Sequence, residues 1–433
     1  MAPPAASVPL PGPAGGLGPA GGLGPADGPG PAGGSEPADG SDPAGLPEAP
    51  ALPAQADVVI IGGGVIGASV AFHLAEAGVR RVLVLERDRP ASGSSGKPIG
   101  GVRAQFSDPL NIRLGLRSLD AWRSFARRPG ARIGLESVGY LFLLGDDREL
   151  AAFTEGVATQ NALGLPSRII TPRAAAELCP YLDPSAIVAA AYSPTDGHAL
   201  PTAAVTGYLG AALRLGAALR TRCPVTAIDT ADGALQAVRT PYGTVRTPTV
   251  ICCAGAWSGA VGALAGVDLP VTPLRRQIAF TGPLDPAPPR IPFTIDFAST
   301  LYFHNDHADG LLLGLSDPSQ QPGFGRRFSH EWLAPFRTAA ARRAPELARL
   351  PVTGGWAGLY EMTPDRNALI GEADRPHRFL YATGFSGHGF LQAPAVGEIV
   401  RDLCLGREPF LDIAPLAATR FDGHAIRPEA HII

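Results

Sequence analysis

A glycine-rich turn between a strand pattern and a helix pattern restricts the fold of this chain more than any other feature. Residues 57–61 (Asp-Val-Val-Ile-Ile) form a β-branched run of the kind that makes a buried parallel strand. The turn 62–67 (Gly-Gly-Gly-Val-Ile-Gly) follows at once, and apolar residues then recur at helical spacing to residue 77. Residues 82–86 (Val-Leu-Val-Leu-Glu) predict a second parallel strand, which completes a β-α-β unit.

This order of strand, turn and helix is typical of a dinucleotide site. Gly62 permits the tight turn, Gly64 lets the backbone approach a pyrophosphate, and Gly67 lets the helix pack closely on the strand. Backbone N–H groups at the helix N-terminus would bind the phosphate charge. Glu86 ends the next strand, where a carboxylate binds ribose hydroxyls. The turn alone does not distinguish FAD from NAD.

Composition limits the partners of the chain. Residues 1–55 are rich in Pro, Gly and Ala, carry five acids and no Lys or Arg, and predict a disordered tail. The rest of the chain is close to neutral, so we expect no nucleic-acid partner. Lys97 is the only lysine, so no other position offers a catalytic amine.

Targeting and cysteine signals indicate the cytoplasm. The N-terminus has no basic, apolar secretory pattern, and the uncharged stretch 250–267 is interrupted by four glycines, so we expect no transmembrane segment. The five cysteines lack metal-ligand spacing and predict free thiols in a reducing compartment, with no metal site.

Three further small-residue turns, at 91–106, 252–258 and 384–390, separate FAD from NAD. With them the sequence resembles the D-amino-acid oxidase/sarcosine oxidase family of FAD proteins, also called glycine oxidase-like or DadA-like. Within that family it is most similar to the β subunits of heteromeric sarcosine oxidases and proline dehydrogenases. The resemblance spans about residues 56–410.

The resemblance and the strand pattern imply an α/β fold in which a Rossmann-like FAD-binding domain is interleaved with an antiparallel-sheet α+β substrate domain. Residues 56–433 would form this oxidoreductase. The predicted FAD-binding segments are about 56–130, 200–260 and 352–410, and the substrate-domain segments are about 131–199 and 261–351. Single strands are predicted at 225–228 and 245–253.

The resemblance also implies a set of cofactor contacts. The predicted FAD-binding residues are Gly62, Gly64, Val65, Ile66, Gly67, Glu86, Arg87, Ser94, Ser95, Gly100, Gly101, Val225, Ala254, Gly255, Trp257, Gly384, Gly387, His388, Gly389 and Phe390. The last turn would place a helix N-terminus near the flavin pyrimidine oxygens, where negative charge develops on reduction.

Three residues are candidates for the catalytic end of the site. Arg103 would place a guanidinium beside the flavin, although an ion pair at the surface is the alternative. His388 lies against the flavin in the family, although a structural histidine is the alternative. Tyr302 matches a substrate-side tyrosine of the family approximately and could equally be a core residue, and Tyr360 is comparable.

At three positions the sequence departs from the family pattern, and these departures narrow what we expect of cofactor attachment, reaction with oxygen and substrate binding. Gly358 stands where monomeric sarcosine oxidases tether FAD through a cysteine, so we expect FAD to be non-covalent. Leu312 stands in place of their oxygen-activating lysine, which favours a dehydrogenase or a slow oxidase. Leu391 replaces their carboxylate-binding lysine, so another group, for which Arg103 is the candidate, would have to hold a substrate carboxylate.

We therefore expect an FAD-dependent enzyme that oxidises the C–N bond of an amino acid or secondary amine by hydride transfer to flavin N5. Electrons would pass to a quinone, an electron-transfer protein or oxygen, and heteromeric partner subunits are possible. Three alternatives stay open: a 2-hydroxy-acid dehydrogenase of the same fold, a flavin-binding subunit or assembly factor with little turnover, and an NAD-linked enzyme.

Overall fold

The computed structural model describes residues 45–49, 51–422 and 427–432. Its strands, in chain order, are β1 Val58–Ile61, β2 Val82–Leu85, β3 Gly101–Val102, β4 Tyr140–Leu144, β5 Arg168–Ile170, β6 Ala189–Ser193, β7 Gly197–His198, β8 Ala218–Arg220, β9 Ala227–Ala231, β10 Ala234–Thr240, β11 Gly243–Arg246, β12 Val250–Cys252, β13 Thr272–Phe280, β14 Phe293–Asp296, β15 Leu301–Asn305, β16 Leu311–Leu315, β17 Gly354–Met362, β18 Leu369–Glu372 and β19 Phe379–Thr383. Its α-helices are α1 Val65–Glu76, α2 Pro109–Arg123, α3 Asp147–Ala162, α4 Pro172–Leu178, α5 Pro201–Arg214, α6 Ser258–Ala263, α7 Leu333–Arg343 and α8 Gly389–Cys404.

A six-stranded sheet forms the Rossmann-like layer, in the order β18-β19-β12-β1-β2-β8. Strand β1 pairs in parallel with β12 on one side and with β2 on the other, so the predicted β-α-β unit is confirmed. All four residues of β1 and of β2 are buried because helices cover the sheet, as the uniform apolar runs indicated. Helix α1 packs against both α5 and α8.

An eight-stranded, mostly antiparallel sheet forms the second layer, in the order β17-β13-β16-β15-β14-β4-β6-β5. Its two faces are both apolar. One face packs on α7 through a core that includes Phe303 and Phe336. The other face carries Tyr140, Phe293 and Tyr302 and is turned toward the Rossmann-like layer. The predicted fold class, a Rossmann-like sheet interleaved with an antiparallel α+β layer, is confirmed.

The structure corrects two strand assignments. The predicted strand 245–253 is two strands: β11 lies in a three-stranded sheet with β10 and β9, whereas β12 joins the six-stranded sheet. Pro248 stands between them and offers no backbone N–H to continue a ladder. The predicted strand 225–228 begins later, since β9 is Ala227–Ala231.

Strand membership also bears on the predicted domain segments. Strand β17 falls within the segment 352–410 that was predicted to bind FAD, yet it pairs with β13 along the edge of the eight-stranded sheet. The two strands pair along their whole length, from Thr272 opposite Met362 to Phe280 opposite Gly354, and this pairing holds β17 in the second layer. The division into segments otherwise remains a proposal.

The predicted tail 1–55 lies mostly outside the described residues. Its last part does contact the folded layers: Leu46 packs against the core around α5, and Ala49 donates its N–H to Leu219 O at 2.9 Å. The Glu48 carboxylate accepts from Thr221 N at 3.1 Å, and Gln55 bridges to Arg246. Residues 45–49 and 51–55 therefore belong with the folded part rather than with the tail.

Candidate active site

One large cavity, of about 380 Å³, lies between the carboxyl ends of β1, β2 and β12 and the aromatic face of the eight-stranded sheet. All four predicted glycine turns reach it. The predicted site residues that line it are Gly62, Gly64, Val65, Ile66, Glu86, Arg87, Ser94, Ser95, Gly100, Gly101, Arg103, Val225, Ala254, Gly255, Trp257, Tyr302, Gly387, His388, Gly389 and Phe390.

The first turn has the close approaches that the sequence predicted. Gly62 has φ of +116°, and a Cβ there would lie 2.3 Å from Cys253 O. A Cβ on Gly67 would lie 2.0 Å from Gly62 O, so this glycine does not line the cavity but lets α1 sit on the strand. The Ser95 hydroxyl, from the second turn, accepts a hydrogen bond from Val65 N at 2.9 Å. The two predicted phosphate-binding segments thus meet at the N-terminus of α1.

Glu86 stands at the end of β2, beside this turn. Its carboxylate accepts from Gly63 N at 2.7 Å and from Asp88 N at 2.8 Å. Burial raises the pKa of Glu86, and the two N–H donors oppose that rise. Beside it the Arg87 guanidinium lies 4.0 Å above the Trp257 ring. These groups form the end of the cavity that would hold the adenosine part of a dinucleotide.

The fourth turn places a second helix N-terminus on the cavity. His388 is the N-cap residue of α8, its side chain makes no capping hydrogen bond, and the first turn contains no acid. Gly387 has φ of +101°, and a Cβ there would lie 2.6 Å from the Tyr360 ring. Gly384, predicted to bind the cofactor, does not line the cavity; with φ of +69° it packs against Thr363 instead.

The N-termini of α1 and α8 therefore open into one cavity, and neither N-cap residue makes a side-chain capping hydrogen bond. Each offers backbone N–H groups and a positive dipole end to an anionic or carbonyl oxygen. Small residues on the connecting turns leave space for a long ligand. These features fit FAD, with its pyrophosphate at α1 and the flavin ring at α8.

Glu361 is a buried acid that lines the same cavity. The Thr383 hydroxyl donates to Glu361 Oε2 at 2.9 Å, and a Cβ on Gly255 would lie 3.6 Å from the same oxygen. Burial raises the pKa of Glu361 to about 7, while hydrogen bonds from Thr383 and from backbone N–H groups of residues 384 and 385 lower it. This side chain would face the middle of a bound FAD.

Arg103 lines the cavity but is fixed by the protein itself. It is 3% exposed, and its Nη2 donates to His431 O at 2.7 Å. Its Nη1 donates to Gln105 O, and its guanidinium lies 4.1 Å from the centre of the Phe106 ring. The prediction that Arg103 lies near the flavin stays a prediction, but the structure gives this guanidinium little freedom to turn toward a substrate carboxylate.

His388 connects Arg103 to the turn before α8. Its Nε2 lies 3.3 Å from Arg103 Nη2, and burial together with the Arg103 charge lowers its pKa to about 3. The imidazole is therefore neutral at physiological pH and accepts from the guanidinium. A structural role and a position against the flavin are both compatible with this geometry.

The aromatic face of the eight-stranded sheet forms a chamber within the cavity. We call it the tyrosine chamber; its residues are Tyr140, Phe293, Tyr302, Tyr360 and Arg276. Tyr140 stacks on Phe293 with ring centroids 4.3 Å apart, and Phe293 lies 6.3 Å from Tyr302. Burial raises the pKa of each of the three tyrosines, so their hydroxyls stay protonated. Tyr302 is thus both a core residue and a wall of the cavity.

Gly358, Leu312 and Leu391, which depart from the family pattern, lie in or beside the cavity. Gly358 lines the cavity, and a Cβ there would lie 2.6 Å from Lys97 Cβ. Leu312 packs in the apolar cluster behind Tyr302 and Trp356. Leu391 lines the cavity and packs on Phe106. Neither leucine carries a charge to a substrate or to oxygen.

Four residues of this site received no role from the sequence: Tyr140, Arg276, Glu361 and His431. Period-two alternation along 272–280 could have put Arg276 on the same face as Ile278. Glu361 and Tyr140 lie in strands, without a motif of their own. No local signal links His431 to Arg103, 328 residues earlier.

Neither a cluster of metal-ligating side chains nor a membrane-spanning helix occurs among the described residues. No group of three or more His, Cys, Asp or Glu side chains in them could hold a metal ion. Among the helices described, none combines the length and the apolar character that crossing a membrane requires.

Comparison with known proteins gives consistent matches. The family model described as "FAD dependent oxidoreductase" matches residues 57–403. Among solved structures, L-proline dehydrogenase from P. horikoshii is 33% identical with a TM-score of 0.81, covering 86% of this chain and 99% of that one. Glycine oxidase from Geobacillus kaustophilus is 28% identical with a TM-score of 0.76, covering 85% and 99%.

Among curated proteins, the chain is similar to mitochondrial dimethylglycine dehydrogenase of Mus musculus, with 27% identity over 86% of this chain. The match covers 46% of that protein. The chain thus spans about half the length of this dehydrogenase.

Proposed function

Because the chain belongs to the family of FAD-dependent oxidoreductases, we propose that it oxidises a carbon–nitrogen bond of a small amino acid or secondary amine. The observation that carries this proposal is the shared cavity: the N-terminus of α8 and the tyrosine chamber open into the same space. The names of the relatives, L-proline dehydrogenase, glycine oxidase and dimethylglycine dehydrogenase, support an amino-acid substrate.

FAD held at the N-termini of α1 and α8 would supply the hydride acceptor, flavin N5, for the carbon attached to the substrate nitrogen. The N-terminus of α8 supplies fixed positive potential where the reduced flavin would carry negative charge. The aromatic wall of Tyr140, Phe293 and Tyr302 excludes water from the reacting carbon. No base is required when the amine binds neutral, and the raised pKa values of the tyrosines agree with a passive role.

We further propose a non-covalent cofactor, a slow reaction with oxygen, and a cytoplasmic location. Gly358 provides no nucleophile for a tether. Leu312 places an alkyl group behind the chamber, without the ammonium that would stabilise superoxide. The free state of all five cysteines supports a reducing compartment. A quinone or an electron-transfer protein then serves as acceptor, and a partner subunit could deliver it.

Anaerobic titration of the FAD-loaded protein with secondary amines, D-amino acids and 2-hydroxy acids tests the reaction type. Loss of the yellow flavin colour with an amine, but not with a 2-hydroxy acid, is the expected result. If only 2-hydroxy acids bleach the flavin, the proposed amine oxidation is wrong and the protein is a 2-hydroxy-acid dehydrogenase. A flavin that no compound bleaches would favour the low-turnover subunit.

Reoxidation of the bleached protein tests the acceptor. Air should restore the colour slowly, and an artificial quinone should restore it quickly. Leu312→Lys should accelerate the reaction with air, whereas Leu312→Met, which keeps the volume and adds no charge, should not. Rapid reoxidation of the wild-type protein by air would contradict the proposed preference.

A further inference from the structure

Two side chains of the segment 427–432, which we call the anchor segment, are buried behind the cavity wall. Glu429 is 1% exposed and His431 is 3% exposed. The His431 ring stacks on the Phe153 ring with centroids 4.1 Å apart, and Glu429 N donates to Asp365 O at 3.2 Å. The anchor segment is therefore packed into the core rather than laid over its surface.

The Glu429 carboxylate carries a buried negative charge. Its Oε1 accepts from Ser107 N at 2.8 Å and from His431 N at 2.9 Å, and the Ser107 hydroxyl donates to the same oxygen. Its Oε2 accepts from Asp108 N at 3.0 Å and from Asn111 Nδ2 at 2.9 Å. Burial raises the pKa of Glu429, but these hydrogen bonds lower it by more and hold it well below its ordinary value. All of these donors are neutral groups, so they stabilise the charge without cancelling it.

Arg103 is a buried positive charge in the same situation. Its guanidinium donates to Gln105 O and to His431 O, and it lies 3.3 Å from His388 Nε2. Among the described residues it forms no direct ion pair. Burial lowers the pKa of Arg103, and the charge of Glu429 is among those that oppose this effect. A buried cation with neutral partners is costly unless an anion lies close by.

The backbone of His431 joins the two charges. Its N–H donates to Glu429 Oε1 at 2.9 Å, and its carbonyl accepts from Arg103 Nη2 at 2.7 Å. The positive end of one peptide dipole thus faces the carboxylate, and the negative end of the next faces the guanidinium. Glu429 and Arg103 are held one residue apart, away from solvent, where a Coulomb interaction is screened little.

Asp196 is the other acid near Arg103, and its charge is less constant. Its Oδ2 accepts from Ala104 N at 3.2 Å, whereas its buried Oδ1 has no partner in the described part of the chain. Burial raises the pKa of Asp196 to about 7, so this carboxyl is only partly ionised near neutral pH. Glu429 therefore supplies the permanent negative charge.

The charge pair acts on the cavity from one side. Arg103 lines the cavity and contacts His388, the N-cap residue of α8, whereas Glu429 does not line it. The helix N-terminus and the guanidinium both make the potential at this end of the cavity more positive. A carboxylate held behind the guanidinium makes it less positive.

We propose that Glu429 is the counter-charge of Arg103 and that it lowers the reduction potential of the bound flavin. Arg103 and α8 favour the reduced flavin, which carries negative charge, and Glu429 limits how strongly they do so. The inference rests on the proposed function, because it takes the flavin ring to lie at the α8 end of the cavity. Glu429 acts by its charge and by holding the anchor segment, without touching cofactor or substrate.

The midpoint potential of the flavin tests the inference without any substrate. The FAD-loaded protein is reduced anaerobically beside a reference dye, and the potential is read from the two absorption spectra. Glu429→Gln keeps the shape and one acceptor oxygen but removes the negative charge, so the potential should rise. We expect reduced flavin to be favoured about tenfold, which is about 30 mV for a two-electron couple.

Three further variants separate charge from loosened structure. Glu398→Gln is the matched control: Glu398 is a buried carboxylate on α8 that accepts from Arg117 Nε at 2.8 Å and does not line the cavity, so the potential should not move. Glu429→Ala removes the same charge as Glu429→Gln and serves if the Gln variant holds less FAD. The double variant Glu429→Gln/Asn111→Asp returns a carboxylate to the hydrogen-bond partner of Glu429 and should restore the wild-type potential.

A potential that is unchanged or lower in both charge-removing variants would overturn the inference. A rise that Glu398→Gln reproduces, or that the double variant retains, would overturn it as well. Arg103→Met separates this outcome from a failure of the proposed function, since loss of the guanidinium should lower the potential. A shift in the Arg103 variant alone removes only the role of Glu429, whereas no shift in any of these variants means that the flavin ring does not lie at the α8 end.

Discussion

Replacing Glu361 by Gln should make the affinity of the protein for FAD less dependent on pH. In the wild type, burial raises the pKa of this carboxyl to about 7. No cation faces it in the described structure, and the nearby thiols of Cys252 and Cys253 are neutral, since burial raises their pKa values too. The carboxyl is therefore half ionised near neutral pH, inside the cavity that would receive FAD.

The sign and size of the effect follow from charge. FAD carries a pyrophosphate dianion, and a neighbouring negative charge raises the pKa of a carboxyl further. The complex thus holds the Glu361 proton more tightly than the free protein, so binding takes up a proton once the pH exceeds about 7. Affinity then falls by up to about tenfold per pH unit well above that pKa, and by at most roughly 15-fold between pH 7 and 8.5, about 1.6 kcal/mol.

The assay is reconstitution of FAD-stripped protein, with the dissociation constant read from quenching of flavin fluorescence between pH 6 and 8.5. Glu361→Gln keeps the shape and removes the proton equilibrium, so its affinity should vary less. Glu86 and Asp196 also have raised pKa values and are present in both proteins, so the difference between the two profiles isolates Glu361. Parallel profiles would refute the reasoning.

Three further predictions concern Gly67, Arg103 and Gly358. Gly67→Ala places a Cβ 2.0 Å from Gly62 O and should yield protein with little bound flavin by absorbance, whereas Gly93→Ala, whose Cβ would lie 3.6 Å from its nearest neighbour, should retain it. Arg103→Met leaves two buried carbonyls without donors and should lower the free energy of unfolding by about 3 kcal/mol in denaturant titration, against almost no change for the exposed Arg113→Met. Because Gly358 offers no tether, acid precipitation should release all of the flavin into the supernatant; flavin left on the pellet would contradict this.

The FAD-binding half of the site could be predicted because its determinants are local. A buried strand, a glycine turn and a helix are encoded within about 20 consecutive residues, and the carboxylate of Glu86 follows at a spacing fixed by the same unit. Gly62 and Gly67 are required by the nearby backbone, at Cys253 O and Gly62 O, and such requirements leave a visible residue type. Strand ends were less predictable, as the break at Pro248 shows.

The substrate half could not be predicted in the same way because it is built across a sheet. Tyr140, Phe293 and Tyr302 come from three strands that meet only through pairing, and their order in the sheet is not written in any one segment. Each strand alone reads as an ordinary apolar strand. Which of its two faces meets the cofactor depends on the register with its neighbours.

Arg103 and Arg276 show the same limit for charge. Both are arginines among apolar residues, and Arg103 has the more suggestive position in sequence, since only Val102 separates it from the glycine pair at 100 and 101. Its availability is decided by His431 O, which comes from the distant end of the described chain, and by Gln105 O. Arg276 donates to one backbone carbonyl, that of its neighbour Arg275, and its Nε has no partner in the described part of the chain. Whether the donors of a guanidinium are used or left over is therefore decided by the assembled cavity rather than by the residue or its neighbours in sequence.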